Sequence, residues 1–430
     1  MLKIRHSDVK TNAFGGLNFI HPMILKSGLC EIINESFGDR VNQAKYSIED
    51  IFVTHALSIF AGSKRLGHAE FFKKDLDNVK GVTIPSPDTT SRVLRKLAVP
   101  NIEIPYDGKN KVHVLNYNEK MLDVLIKSAL KFGLIDPNGE NVLDYDNTVL
   151  FVKKYDATTT FKTSDKKHQK GYQPSVASIN GVPIFVEGRS GHTSAAFQLD
   201  ETLRRCIETC DKHGIKISKF RSDAAGYNKS VFSLCDEYGI DFFIRKRMTG
   251  SEKATLELST APEDWTPVKI KEINYEFLDM DFRATKMKKS YRAVCQKKVM
   301  KDESPHFFGI LTTNEEMTSE EVVQFYNMRA QEEKRFAELN GEFNFKRVPF
   351  SLIEENTVFM ILTCITYNLY KHLTNELKDK TSKVYPNMWL RIFRKEFIFH
   401  TVIILASGVI EIASPTPDTY LLFSKIFDGF

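Results

Sequence analysis

The chain has 430 residues, of which 42% are hydrophobic, so it is no disordered chain and has the length for two or three domains around a large core. Its 60 basic and 55 acidic residues leave a formal charge of +5, compatible with a phosphate-rich partner but too small to establish one. The six cysteines are scattered with no C-x-x-C pair, which favours structural thiols over zinc ligands or disulfides and fits a reducing compartment. The N-terminus has no apolar core that could make a signal peptide, so the expected location is cytoplasmic.

Residues 1–140 read mostly as short helices, at 22–36, 47–60, 66–74, 89–97 and 117–131, separated by turn signals such as Pro85-Ser86-Pro87. The stretch from Ser86 to Leu97 has a polar cap followed by a basic helix carrying Arg92 and Arg95, a form able to enter a DNA groove. From about 141 the pattern changes. Asn141 to Lys153, Ala157 to Thr163 and Gly181 to Glu187 are predicted as three antiparallel strands, and Leu199 to Lys212 as an amphipathic helix. A strand at Ile217 to Arg221, a helix at Asn228 to Tyr238 and a strand at Asp241 to Arg245 follow. That order is the order of an RNase H-like α/β fold, a mixed sheet with helices.

Residues 246–290 break the rhythm and read as a mainly β insertion. Strands resume at Tyr291 to Gln296 and His306 to Leu311, and Thr318-Ser319-Glu320-Glu321 starts a long helix predicted over Ser319 to Leu339. Another apolar helix is predicted from about Asn356 to Leu373, and the last from about 388 to 412. Within it, Thr401 to Ile412 is apolar yet about twelve residues long, well short of the ~20 that span a bilayer, and reads as a buried helix. The expected organisation is therefore a helical region over 1–140, a core in two parts over 141–245 and 291–345 around the 246–290 insertion, and a helical end over 346–430.

Three acids fall where a core of this kind would bring them together: Asp146 in the first strand, Asp223 after the fourth, and Glu333 in the later helix. A carboxylate amid Val142, Leu143, Val149 and Leu150 needs a cation or donor, because an unpaired buried charge is costly. Oxygen ligands from such distant points suit two hard cations about 4 Å apart, one activating an attacking oxygen and one stabilising the leaving oxygen. Asp144 competes with Asp146, since the two-residue strand period puts both on one face.

The residues carry a resemblance. The chain resembles the DDE transposases of bacterial insertion sequences, in the branch whose last acid sits in a Tyr-x-x-Arg-x-x-x-Glu helix, here Tyr326, Arg329 and Glu333. Similar too are the Asp-x-Thr of the first strand at Asp146 and Thr148, which favours Asp146 over Asp144, and the element Arg221, Asp223, Gly226, Tyr227. Gly171-Tyr172-x-Pro174, the turn at Arg189 and Gly191, and Asn356 with Tyr367-Asn368-Leu369 extend the likeness over most of the chain. One departure is Asn340, which stands where the signature has lysine.

The resemblance implies Mg²⁺, with Mn²⁺ as substitute, held by Asp146, Asp223 and Glu333. It also implies double-stranded DNA as partner, both the terminal inverted repeats and the target, bound by a homodimer, with endonucleolytic cutting and 3′-hydroxyl strand transfer. Tyr326 and Arg329 would then face phosphate near the metal, the other option being that Arg329 pairs with Glu333. Arg245-Lys246-Arg247 at the mouth of the insertion and Lys288 at its exit could track a backbone, and Trp265 could stack on an unpaired base or fill a small core. His192 is expected to be structural or a phosphate donor and not a base. Lys166, Lys167, His168 and Lys170 read as a basic loop. Rivals are an RNase H-like nuclease without strand transfer and an inactive, domesticated DNA-binding descendant. A glycosidase fits poorly, for want of barrel periodicity.

Overall fold

A computed structural model describes residues 8–38, 40, 44–79, 81–105, 112–162, 167–246, 248–259, 262–270, 273–283, 289–299, 305–405, 409–413, 421 and 423–426. Eleven strands form one mixed sheet. In chain order they are β1 (Ile102–Pro105), β2 (Val112–Asn116), β3 (Asn141–Asn147), β4 (Ser175–Ile179), β5 (Val182–Arg189), β6 (Ile217–Ser222), β7 (Asp241–Lys246), β8 (Thr266–Ile270), β9 (Ile273–Phe282), β10 (Tyr291–Val299) and β11 (Pro305–Thr312). Across the sheet the order is β8-β9-β10-β11-β7-β6-β3-β4-β5-β2-β1. The β3-β6-β7 centre is parallel, and β3-β4-β5 are antiparallel.

The helices are α1 (Leu17–Lys26), α2 (Leu29–Phe37), α3 (Ile48–Phe60), α4 (Ala69–Leu76), α5 (Pro87–Lys96), α6 (Glu119–Lys131), α7 (Leu199–Lys212), α8 (Lys229–Tyr238), α9 (Gly250–Ser259), α10 (Ser319–Asn327), α11 (Ala330–Gly341), α12 (Ile353–Lys378) and α13 (Leu390–Phe393). The 26-residue α12 is buried along most of its length and packs on α6 and β5. The chain is thus a mixed α/β protein with a large sheet flanked by helices.

Strand alternation divides the packing. Leu143 and Tyr145 of β3 enter the main core, whereas Val142 joins Phe243, Phe277, Val294, Ile310, Val322, Val323 and Phe325 in a second cluster under α10. The two-residue period therefore puts Asp144 and Asp146 on the α10 face of β3.

Several predicted elements differ. The second strand of the sheet is Ser175–Ile179 and not the segment near 157–163. Its signal was Asn180-Gly181, which closes the β4–β5 hairpin with φ of 50° and 86°, the left-handed pair a tight hairpin needs. Thr158–Lys162 instead pairs with Lys167–Tyr172, and the latter with Leu150–Phe151, in a separate three-stranded sheet. Lys167, His168 and Lys170 accordingly lie on a strand and not in a loop, with Lys166 outside the described residues. Gly171 is required there, since a Cβ would lie 2.1 Å from the Leu150 carbonyl oxygen.

The helical N-terminal region also contributes β1 and β2, which extend the sheet from β5. The strands within 246–290 continue the same large sheet, after α9 opens the segment. The helix expected over Ser319 to Leu339 is two helices, because at Met328–Arg329 the bonds Arg329 N–H to Tyr326 O (3.0 Å) and Gln331 N–H to Met328 O (3.0 Å) tighten the turn. The helix expected over 401–412 is replaced by strands among the described residues. β-branched Val402–Ile404 and Ile410–Ile412 pair as strands, and Thr11–Asn12 adds a third. Of the cysteines, five are buried and Cys30 is half-buried, all as free thiols.

Candidate active site

Register brings the first two acids together. Ser222 pairs with Tyr145 across the parallel β6–β3 ladder, so the next residues along the two strands are Asp223 and Asp146. Adjacent strands lie about 4.8 Å apart, so both carboxylates issue from neighbouring strand ends. Each is steadied locally. Asp146 accepts from the Asn147 N–H at 2.9 Å, and Asp223 accepts from the Ala225 N–H at 2.8 Å in a turn closed by Gly226 N–H to the Asp223 carbonyl.

The tightened turn after α10 supplies the cation. The Arg329 guanidinium lies 3.1 Å from the Asp146 carboxylate, with side chains 11% and 27% exposed. Burial pushes the Asp146 carboxyl up to about 6; Arg329 and the Asn147 N–H oppose this, and the charges of Asp223 and Glu333 reinforce it. Glu333 therefore shares the electrostatic field of the two aspartates, although its side chain is exposed. Among the described residues, no three His, Cys, Asp or Glu side chains converge closely enough to hold a metal ion. The hard oxygen donors of Asp146 and Asp223 are of the type a divalent cation takes, and a cation beside Asp146 would offset the burial that raises its carboxyl.

Asp144 is occupied. Arg221 of β6 donates to it through Nε (2.8 Å) and Nη2 (2.6 Å), and through Nη1 to the Phe325 carbonyl at the end of α10 (2.8 Å). Both side chains are under 8% exposed, and the guanidinium stacks over the Phe325 ring at 4.8 Å. Sequence reasoning missed this clamp, although the Arg-x-Asp and Asp-x-Asp spacings carried its signal.

The other predicted residues divide. Tyr326 is half-buried, and its hydroxyl is raised by burial while Arg329 and Arg245 oppose it. Arg245 shares the α10 face with Phe243 and is exposed, over the Phe308 ring at 5.0 Å. Lys246, one residue on, points to the other face, where it is buried, bonds Glu252 at 2.6 Å and lies 4.2 Å from the centre of the Phe282 ring. Strand alternation thus keeps it from the site. Trp265 is 8% exposed in a small core with Leu256, Leu278, Cys295 and Phe307, which fills it as an apolar side chain and removes it from base stacking. Arg247 and Lys288 lie outside the described residues. Arg92 is exposed on α5, and Arg95 pairs with Glu355 of α12 at 3.5 Å. His192 bridges Thr158 and the Val112 carbonyl at 2.9 Å each. The Asn340 amide oxygen is buried without a hydrogen-bond partner.

Comparison with known proteins places these residues in a family. The family model described as transposase DDE domain group 1 matches residues 10–391. No curated protein matches the sequence significantly. Among solved structures, the piggyBac transposase synaptic complex with hairpin DNA is similar at 11% identity, with TM-score 0.43, over 89% of this chain and 78% of that one. The Drosophila P element transposase strand transfer complex is 16% identical over 51% of this chain and 43% of that one, with TM-score 0.24. The Mos1 mariner paired end complex with Mn is 9% identical over 53% of this chain and 76% of that one, with TM-score 0.18. With its family model spanning most of the sequence, the chain belongs to the DDE transposase family of domain group 1.

Proposed function

We propose that the protein is the transposase of a bacterial insertion sequence, with an RNase H-like core, acting on the terminal inverted repeats of its element by metal-dependent cleavage and 3′-hydroxyl strand transfer. The observation that carries this reading is the pairing of parallel strand ends, which sets Asp223 beside Asp146 within the field of Glu333. Asp146 and Asp223 would hold the divalent ion, with Glu333 reaching it from α11. When bound, such an ion supplies charge neutralisation and activation of the attacking oxygen.

The chain's own residues would then position the scissile phosphate. Arg329 lies against Asp146 and would donate to an oxygen of a scissile phosphate placed beside it. Tyr326 and Arg245, in one electrostatic field with the acids, would flank the DNA end. The Asp144–Arg221 clamp keeps the end of α10, and hence Arg329, in register with β3 and β6. No covalent protein nucleophile is needed. The partner would be double-stranded DNA, engaged by two copies of the chain. Among the described residues, no helix is long and apolar enough to cross a membrane.

The test is joining of a labelled duplex, taken from the DNA flanking the gene, to a supercoiled plasmid in Mg²⁺ or Mn²⁺. Joined product that is absent with Asp146→Asn supports the reading. Cleavage without joining identifies a nuclease, and binding without either identifies an inactive descendant.

A further inference from the structure

A second basic surface lies off the acidic site. A cleft of about 650 Å³ is lined by Arg65, Arg95, Lys153, Lys154, Lys346 and Arg347, and Asp88 is the one carboxylate among its lining residues. Four separate parts of the chain build it, the first being the turn at Arg65. Ser86 caps α5 by accepting from the Thr89 N–H, presenting Arg95 on that helix. The segment after Phe151 brings Lys153 and Lys154, and the turn before α12 brings Lys346 and Arg347. The assembly is braced from below. Asp156 accepts from the Ile353 N–H at 2.7 Å and from the Tyr172 hydroxyl, and Asn356 bonds the Phe350 backbone through both amide atoms, at 2.9 and 3.1 Å.

The cleft continues past Phe151 into a neighbouring depression lined by Lys153, Lys154, Gln169 and Lys170. Lys153, Lys170, Lys346 and Arg347 are exposed, and burial lowers the Lys154 ammonium below its ordinary value. Tyr155, 86% exposed, adjoins Lys154 in the chain. Arg95 is paired with Glu355 at 3.5 Å, and with it the lysines and arginines of the cleft form a basic surface that attracts a polyanion.

We infer that this cleft seats the sugar-phosphate backbone of duplex DNA flanking the end held at Asp146. The inference rests on the function proposed above and adds the surface on which the flank lies. Reach supports the assignment. Val152 is the sixth residue after Asp146, so the near wall of the cleft is within about 21 Å of the Asp146 backbone, since an extended chain covers about 3.5 Å per residue. At 3.4 Å per base pair that is about six base pairs, a distance one continuous duplex bridges. Arginines and lysines on a backbone give affinity without reading sequence.

The experiment compares the full chain with the triple variant Lys153→Gln/Lys154→Gln/Arg347→Gln, and with a control carrying Lys120→Gln/Lys131→Gln on α6. Binding to a 30-base-pair random duplex and to one of its single strands is followed by fluorescence anisotropy across a salt series. Circular dichroism melts establish that both variants are folded. The expected result is at least about tenfold weaker duplex binding by the triple variant, a log–log salt slope reduced by about 2 to 3, and an unchanged control. Wild-type affinity and slope in the triple variant would overturn the assignment while leaving the proposed function standing, and so would a loss confined to the single strand. Absence of duplex binding by the wild-type chain would overturn both.

Discussion

Arg221 holds Asp144 by two donors, at 2.8 and 2.6 Å, and spends its third on the carbonyl of Phe325. One buried ion pair thereby ties strands β3 and β6, each two residues before an acid of the site, to the helix that precedes Arg329. It also separates the two aspartates of β3: Asp144 takes an Arg221 donor on each oxygen, whereas Asp146 has Arg329 and the Asn147 N–H among the described residues.

Removing one partner of this pair leaves a buried charge. Arg221→Ala is expected to lose about 3 to 5 kcal/mol, read from urea unfolding. The double variant Arg221→Leu/Asp144→Leu is expected to lose less than Arg221→Ala, because no unpaired charge remains. Equal losses would show that the pair is not the source of the effect.

Asp146→Asn, Asp223→Ala and Glu333→Ala are each expected to abolish metal-dependent cleavage while the protein remains folded. Mn²⁺ should raise the melting temperature of the wild-type chain and leave that of Asp146→Asn unmoved, because only a site that binds the ion gains stability from it. Full cleavage by any one purified variant would remove that residue from the site.

Trp265→Ala tests the small core on which β9–β11 rest. Its removal is expected to cost about 3 to 5 kcal/mol, as for other large aromatic truncations in cores. DNA affinity at a temperature where the variant is folded should be unchanged. A tenfold loss of single-strand binding there would return Trp265 to the interface.

His55 gives an acid dependence. It is buried against Phe359, with ring centroids 5.4 Å apart, and burial lowers its pKa to about 4. Above about pH 6.5 the ring is neutral in both folded and unfolded chains and contributes no pH dependence. Below that, the unfolded chain binds a proton that the folded chain excludes, so stability falls as the pH drops from about 6.5 towards 4, by about 3 kcal/mol in all. His55→Leu should flatten the stability profile over that window, and an unchanged slope would exclude His55 as its cause.

Gly171→Ala would place a methyl group against the Leu150 carbonyl, and Gly191→Ala one 2.5 Å from the Gly171 carbonyl oxygen. Each is expected to cost about 1 to 3 kcal/mol in thermal or urea unfolding, as overpacking does elsewhere. Wild-type stability in both would mean that the three-stranded sheet adjusts freely.

The amino-acid pattern by itself determined the central strands and helices. Ile217–Ser222, Lys229–Tyr238, Asp241–Lys246 and Leu199–Lys212 fall within a residue or so of their predicted ends, because apolar period and capping are local properties. It also determined which three acids to examine, through their motifs. It did not reveal β4, a five-residue strand whose place depends on the Asn180-Gly181 hairpin and on β3, a partner distant in the chain. Nor could periodicity choose between Asp144 and Asp146, which share a face. The motif resemblance favoured Asp146, and the tertiary structure adds what periodicity could not show, that Arg221, from a strand 77 residues later, pairs with Asp144. The same long-range packing buried Lys246, which a linear reading places at the surface, and put Trp265 in a small core, one of the two places that reading left open: exposure is a property of the neighbours the fold supplies.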